Sequence, residues 1–455
     1  MRYLLVDEYQ DTNTSQYLLV RQLVGLQGRL TVVGDDDQSI YAWRGARPEN
    51  LALLQEDFPG LKIVKLEQNY RSTARILKAA NTLIANNAHV FEKQLWSELG
   101  YGEPLRFIRC ADEHAEAEQV VAEILDHQLR KRTRLGEYAI LYRGNHQSRL
   151  LELALQQQQV PYHLSGGTSF FARNEVKDIM AYLRLLLNEH DDNAFLRIAN
   201  IPRRKLGTLT LEALGTFAGS ESCSLSQACL RIGNGQVSEA GLKRLREFRH
   251  WMDAMRQLCQ GDRGVSGIRQ MIRDMDYEGW LEQISSSEDV AERRMSNVHF
   301  LVDGLQRIMS EDSVPLDEAI SRMVLRDLLE QQDEEDKGPD SVQLMTLHAS
   351  KGLEFPHVFI IGMEEKLLPH RVSIEEDSLE EERRLAYVGI TRAQQTLAMT
   401  MAVKRSQFGE TLDCEPSRFI DELPQDDLQF LGSGDNQEAD EARRDETLAV
   451  SYTHL

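Results

Sequence analysis

Cysteine is scarce in this chain, and the cysteines present are not arranged for cross-linking or metal binding. The 455 residues contain five of them, an odd number without a single Cys-X-X-Cys pair. This argues against a disulfide framework and against a zinc site. No apolar run approaches the ~20 residues needed to span a bilayer, and residues 1–7 lack the layout of a signal peptide. We therefore expect a reduced, cytoplasmic protein without a membrane partner.

Basic residues are outnumbered as well. The chain has 52 Lys and Arg and 73 Asp and Glu, which gives a net charge of −21. At first this argues against a nucleic-acid partner, because phosphates are bound by Lys and Arg. The excess is local, however, since residues 330–340, 375–384 and 426–455 together carry −15. Net charge bears on solubility and long-range steering, so it does not exclude nucleic acid.

The length predicts two or more domains, because single cores stop growing near roughly 250–300 residues. Short apolar runs separated by helical patterns favour a parallel sheet covered on both faces. These runs are Tyr3–Val6, Leu30–Val33, Ala139–Tyr142, Val342–Leu347, Val358–Ile361 and Leu397–Met401. From about residue 174 to 329 the pattern is helical, which predicts an insertion between two α/β segments. The chain after Pro424 is acidic and poor in apolar residues, so it is predicted to be disordered.

The first stretch that indicates chemistry is Leu4–Asp11. An apolar strand followed by Asp7 and Glu8 would place both carboxylates at the carboxyl edge of a sheet, where α/β proteins bind ligands. In phosphoryl transfer such a first carboxylate holds Mg²⁺, and its neighbour orients or deprotonates the attacking water. The alternative interpretation is an ordinary surface acid pair.

A second strand ends at Gly34 and delivers further acids and Gln38 to the same edge. The Gln38 amide is suited to sensing a terminal phosphate. Tyr41, Trp43 and Arg44 follow, and stacking of bases on such aromatic rings contributes roughly 1–3 kcal/mol each without regard to sequence. The alternative for Trp43 is a place in the core, although its polar, Gly-flanked setting argues against it.

Together these two stretches, Asp7–Asn13 and Val33–Ala46, resemble motifs II and III of superfamily 1A DNA helicases of the UvrD/Rep/PcrA group. Later segments resemble further parts of that family in the same order. They are Gln68–Ser72 (motif IV), Gly166–Asp178 (start of the helical 2B domain), Thr346–Phe355 (motif V) and Glu381–Ala393 (motif VI). The resemblance covers about residues 1–425.

The resemblance implies a RecA-like P-loop NTPase fold, in which helices flank parallel sheets. A partial first RecA-like domain would be followed by a complete second one that carries a largely helical 2B insertion. The expected boundaries are 1–66 (C-terminal part of domain 1A), 67–165 and 340–425 (domain 2A), 166–339 (2B) and 426–455 (acidic tail).

The resemblance also implies ATP and Mg²⁺ as cofactors and assigns residues to them. Tyr70 would stack on the adenine and Glu354 would contact the nucleotide sugar. Arg71 and Arg392 would be arginine fingers at the γ-phosphate, a task that suits a guanidinium because it stays charged and binds phosphate oxygens bidentately. With them, Asp7 (the Mg²⁺ ligand), Glu8 and Gln38 complete the expected catalytic set.

On the DNA side, the resemblance adds Thr346 and His348 to Tyr41, Trp43 and Arg44. The implied function is an ATP-dependent 3′–5′ DNA helicase of replication or repair. Its substrates would be single-stranded DNA and 3′-tailed or forked duplexes, and replication or repair proteins would be further partners.

One element of the family is not found in the sequence. The phosphate-binding loop has the form GxxxxGK[ST], and the 455 residues contain no Gly-Lys-Ser or Gly-Lys-Thr. Without that loop the β- and γ-phosphates lose most of their cradle, and Mg²⁺ loses its Ser/Thr ligand. We therefore expect an N-terminally truncated helicase without ATPase activity of its own.

Two other functions are alternatives to the helicase. A non-catalytic module that binds DNA or a protein partner is the main alternative. A helicase–nuclease has little support, because the acids after Pro424 lack the strand-borne Asp, Glu and Lys that a nuclease needs.

Overall fold

The computed structural model describes residues 3–24, 29–89, 91–166, 169–259, 264–311, 313–324, 340–376, 378–407 and 410–432. The chain divides into two compact units: Met1–Gly167 with Gly338–Leu455, and Thr168–Lys337. The first unit is α/β and the second is helical in its described part. The helical unit differs from the insertion expected at 166–339 by two residues at each end. The boundary expected at residue 66, inside the first unit, stays a prediction.

Two sheets form in the described part of the first unit. The smaller is a parallel pair, β1 (Leu4–Val6) and β2 (Leu30–Val32). The larger has eight strands in the order β10-β3-β8-β7-β4-β6-β5, with β9 beside β8, and all its pairs are parallel except β8–β9. Its strands are β3 (Leu105–Asp112), β4 (Tyr138–Tyr142), β5 (Tyr162–Ser165), β6 (Val342–Thr346), β7 (Phe355–Ile360), β8 (Ala393–Gln407), β9 (Glu410–Asp413) and β10 (Leu428–Leu431).

Helices connect and cover these strands. Those of the first unit are α1 (Thr14–Val24), α2 (Asn50–Asp57), α3 (Ala74–Ile84), α4 (Glu113–Lys131) and α5 (Ser148–Gln157). Those of the second unit are α6 (Asn174–Leu187), α7 (Asp192–Ile198), α8 (Thr208–Glu221), α9 (Leu225–Arg231), α10 (Glu239–Leu258), α11 (Gly264–Asp274), α12 (Tyr277–Ile284), α13 (Glu288–Glu311) and α14 (316–324). The chain returns to the first unit with α15 (Arg371–Glu375), α16 (Leu379–Ile390) and α17 (Arg418–Asp421). No helix in the part of the chain that the structure describes is both long and apolar enough to cross a membrane.

The inner strands β7, β4 and β6 of the large sheet are mostly buried, and β4 is buried at every residue. Ala139 and Leu141 point into a core formed with α3 and α16, whereas Ile140 and its strand neighbours on the other face pack against α4 and α5. This two-sided burial explains why the strands read as continuous apolar runs. The predicted RecA-like α/β class is confirmed.

The prediction of a disordered chain after Pro424 is wrong for residues 425–432. Leu428–Leu431 forms β10 and pairs in parallel with β3 at the edge of the sheet. Asp427, read from the sequence as part of a solvated acidic tail, accepts ion pairs from Lys78 (2.6 Å) and Arg75 (3.3 Å). Lys78 and Arg75 lie far from Asp427 in the sequence, so the local sequence cannot reveal that they pair with it. The rest of the predicted tail, 433–455, lies outside the described residues.

Candidate functional site

Asp7 and Glu8 follow β1 directly and are exposed, as the strand pattern predicts. Glu8 adopts a left-handed backbone conformation (φ 51°), and its N–H donates to Asp7 Oδ1 at 2.9 Å. Glu8 Oε2 in turn accepts a hydrogen bond from Gln10 Nε2 at 2.6 Å. Both carboxylates therefore accept hydrogen bonds from groups of their own segment.

Gln38 is held by the turn that follows β2. Asp36–Gln38 forms a 3₁₀ helix capped by Asp35, whose carboxylate accepts from the Asp37 N–H (3.1 Å) and from Gln38 Nε2 (2.6 Å). The Asp35 N–H donates to Gln10 Oε1 at 3.0 Å. Gln10 thus joins the turn after β1 to the turn after β2. A side chain at Gly34 would intrude here, since an added Cβ would lie 2.9 Å from Gln10 Oε1.

Arg392 lies just beyond α16 and is 2% exposed. Its nitrogens donate to four uncharged oxygens: those of Val388 (3.0 Å), Leu353 (3.0 Å), Thr391 (3.1 Å) and the side chain of Gln38 (3.5 Å). Burial, and then the charge of Arg71, lower the pKa of Arg392 to about 10, so the guanidinium is charged at neutral pH. A buried cation solvated by neutral oxygens retains its attraction for an anion such as a phosphate.

Arg71 and Glu354 form an ion pair near Arg392. The second oxygen of Glu354 accepts from Gln394 Nε2 at 3.1 Å. Tyr70, beside Arg71, is 78% exposed and donates its hydroxyl to Gln68 Oε1 at 2.9 Å, so the face of its ring is available for stacking. The structure brings Gln38, Arg71, Arg392 and Glu354 together, with Tyr70 adjacent.

Lys351 joins this group, although the sequence analysis did not single it out. Its ammonium donates to Asp11 Oδ2 (2.5 Å) and to the Gln38 carbonyl (2.8 Å), and it lies 3.2 Å from Glu8 Oε2. Burial raises the pKa of Asp11, although the hydrogen bond from Lys351 opposes that shift. The available signal was the Lys-Gly pair shortly after an apolar strand. Its partners lie more than 300 residues away, so the sequence could not identify them.

The aromatic residues after Gln38 form an exposed platform. Trp43 is 66% exposed, which excludes the alternative of a core residue. The Arg44 guanidinium lies 4.5 Å from the centre of the Trp43 ring and 5.2 Å from that of Tyr41. Gly45 then ends the turn with φ 84°, a conformation that favours glycine. A guanidinium beside two aromatic rings forms a surface on which a base can stack and a phosphate can be neutralised.

Thr346 ends β6, and His348, two residues later, lies next to this platform. The rings of His348 and Tyr41 are 6.3 Å apart, and the Tyr41 hydroxyl donates to the His348 carbonyl at 3.4 Å. Burial, followed by the charge of Arg143, lowers the pKa of His348 to about 4. The imidazole is therefore neutral at pH 7, so it can donate or accept hydrogen bonds but attracts no phosphate by charge.

Comparison with known proteins gives consistent matches along the chain. The family model for the UvrD/REP helicase N-terminal domain matches residues 1–59, and that for the UvrD-like helicase C-terminal domain matches residues 64–404. The ATP-dependent DNA helicase Rep of Escherichia coli K12 is 52% identical over 460 residues, covering 100% of this chain and 67% of the relative. The ATP-dependent DNA helicase PcrA of Bacillus subtilis 168 is 41% identical (97% and 60% covered). DNA helicase II of Escherichia coli K12 is 42% identical (93% and 59% covered). The chain spans about three fifths to two thirds of these relatives.

The lowered pKa of His348 predicts a pH dependence of stability. The unfolded chain binds a proton near the ordinary pKa of 6.5 and the folded chain only near 4, so this histidine destabilises the fold increasingly as the pH falls from 6.5 to 4. We expect His348→Asn to lose less stability than the wild type over that interval, measured as melting temperature. A proton NMR titration should place the His348 midpoint near 4. Titration near 6.5 would contradict the burial argument.

Proposed function

The chain belongs to the UvrD/Rep family of ATP-dependent DNA helicases, and we propose that it supplies the γ-phosphate-sensing and DNA-contacting part of a 3′–5′ single-stranded DNA translocase. The tyrosine at Tyr9, in third place of the Asp-Glu motif, and the 52% identity to Rep agree on the Rep branch of the family. We place this activity in DNA replication or repair, in the cytoplasm where the substrate lies.

The observation that carries the proposal is the short distance along the chain between Gln38 and Trp43. Gln38 contacts the buried Arg392, whereas Trp43, five residues later, is exposed beside Arg44. The intervening segment is short and hydrogen-bonded, with Arg44 N–H donating to the Tyr41 carbonyl at 2.9 Å. A change at the nucleotide phosphates would therefore move the base-stacking ring, which is the coupling a translocase needs.

The residues at the strand ends fit Mg²⁺ and a nucleoside triphosphate. Asp7 offers an exposed carboxylate, the oxygen ligand that Mg²⁺ prefers. Arg71 and Arg392 would bind phosphate oxygens, and Tyr70 would stack on the base. The metal supplies charge neutralisation at the phosphates when bound. Glu8 would orient the attacking water, and the Lys351 ammonium lies 3.2 Å from Glu8 Oε2.

The 455 residues lack a Gly-Lys-Ser/Thr loop, so we predict no ATP turnover by this chain alone. Phosphate release should stay at the level of an Asp7→Ala control with or without single-stranded DNA, because the β- and γ-phosphates have no cradle of backbone N–H groups. Intact Rep from Escherichia coli serves as the positive control. DNA-stimulated hydrolysis that Asp7→Ala abolishes would overturn this prediction.

The second candidate function, DNA binding without turnover, is favoured by the exposure of the platform. We predict that the chain binds single-stranded DNA at low salt and that Trp43→Ala weakens this binding. The loss of one stacking contact, about 1–3 kcal/mol, corresponds to about fivefold to 150-fold weaker binding. Fluorescence anisotropy with a labelled oligonucleotide measures it. Trp43→Phe, which keeps an aromatic face, should stay close to the wild type. Equal affinity of all three proteins would exclude the platform as the contact.

The helical unit offers a separate surface for a duplex. Arg204 turns inward, donating to the Ile198 carbonyl (2.9 Å) and the Tyr182 hydroxyl (2.7 Å), and this holds the flanking Arg203 and Lys205 exposed. The loop leads into α8, whose N-cap Gly207 offers no side chain to its first N–H groups. Exposed basic side chains next to a helix N-terminus without a side-chain cap are suited to bind a DNA phosphate.

We therefore predict that this loop contributes to binding of tailed or forked duplexes. The double variant Arg203→Ala/Lys205→Ala should bind a blunt duplex more weakly and show a reduced salt dependence, because two phosphate contacts are lost. Its affinity for a short single strand should remain that of the wild type. An equal loss for both DNAs, or for neither, would contradict a duplex-specific role.

A further inference from the structure

Three consecutive carboxylates crowd the turn that holds Gln38. Asp36 and Asp37 are 4% and 2% exposed, and Asp35 caps the turn from outside. Burial raises the pKa of Asp37, and the negative charges of Asp35 and Asp36 raise it further. Three like charges in so small a volume repel one another, so the turn depends on a positive partner.

Lys93 is that partner. Its ammonium forms an ion pair with Asp35, lies 2.6 Å from Asp36 Oδ1 and lies 3.0 Å from Asp37 Oδ2. Only 18% of the side chain is exposed, and the neighbouring carboxylates raise the pKa of Lys93 against the effect of burial. One half-buried cation therefore contacts all three acids.

The segment that carries Lys93 is anchored elsewhere. The Asn81 side chain, on α3, donates to the Leu95 carbonyl (2.8 Å) and accepts from the Leu95 N–H (3.2 Å). Lys65 donates to the Glu92 carbonyl on the other side of Lys93. The ammonium is therefore a fixed point against which the acidic turn is placed.

The surroundings of Lys93 resemble a metal site in which a lysine takes the place of the ion. His89 Nδ1 lies 3.0 Å from Asp37 Oδ1, and ligand atoms of Asp36, Asp37 and His89 lie within 4.8 Å of one another. Two carboxylates and an imidazole are a donor set that a divalent transition metal accepts. The ammonium of Lys93 contacts two of these three groups, Asp36 and Asp37.

We propose that Lys93 is a positioning residue for the nucleotide sensor: it fixes Asp35, which holds Gln38 Nε2 and leaves the side-chain oxygen Gln38 Oε1 directed at Arg392. The same turn leads into Tyr41, Trp43 and Arg44, so the orientation of the DNA platform depends on Lys93 as well. This inference rests on the proposed function, because it assigns Lys93 to the segment that couples phosphate sensing to DNA contact.

The test replaces the ammonium and then restores a cation by another route. Lys93→Ala should weaken binding of a labelled single-stranded oligonucleotide by about fivefold or more, the lower bound for a lost stacking contact. Lys93→Arg keeps the charge, so its affinity should be within about twofold of the wild type. That is a smaller change than the fivefold loss expected for Lys93→Ala. Lys78→Ala is the matched control, since it removes a lysine from the ion pair with Asp427, which lies outside the site.

Zn²⁺ separates positioning from a purely structural loss. In Lys93→Ala, added Zn²⁺ should raise the melting temperature saturably and recover the oligonucleotide affinity, because Asp36, Asp37 and His89 can then bind the ion. It should do neither in Lys93→Ala/His89→Ala or in the wild type. Wild-type affinity of Lys93→Ala, or recovered stability without recovered affinity, would overturn the proposal.

These outcomes are distinct from a failure of the proposed function. If the wild type does not bind the oligonucleotide, the proposed DNA contact is wrong. The Lys93 proposal is then decided by melting temperature alone. A His89-dependent rise with Zn²⁺ in Lys93→Ala supports the cation position, and the absence of that rise overturns it.

Discussion

The candidate site depends on one buried ammonium group. Lys351 binds Asp11, the Gln38 carbonyl and Glu8 at once, so it joins both strand-end turns of the small sheet to the loop after β6. Without that cation, Asp11 would be a half-buried carboxylate with no opposite charge beside it, and such groups are costly. The contact also brings the loop of His348 next to Tyr41. The residues proposed to contact the nucleotide phosphates and those proposed to contact DNA are thus arranged around the same lysine.

The arrangement makes mechanical sense for an enzyme of the UvrD/Rep family. Gln38 lies between Arg392 on one side and Asp35 on the other, and the chain continues within five residues to the exposed Trp43. Packed and hydrogen-bonded segments shift between discrete positions more readily than they deform. A phosphate that pulls on Arg392 or Gln38 would therefore displace the platform as a unit. Lys93 sets the rest position of that unit.

Much of the candidate site could be predicted from the sequence, because most of its residues lie in contiguous motifs. Asp7 and Gln38 each follow an apolar strand, and parallel strands deliver such residues to one edge. Arg71 and Arg392 were assigned by resemblance, and the structure places them near each other. What one sequence cannot reveal is pairing over long separations. Lys351, Lys93 and the partners of Asp427 were missed for that reason, and so was β10, whose acidic start suggested a solvated tail.

Hydrogen exchange decides whether the segment 34–46 links nucleotide sensing to DNA contact. Adding a short single-stranded oligonucleotide to the chain should slow amide exchange at residues 41–44, where the base stacks. The protection should extend to residues 35–38 and to residues 91–95 around Lys93, because the hydrogen bonds and ion pairs connect them. Protection confined to 41–44 would contradict the coupling, and protection elsewhere alone would contradict the DNA contact itself.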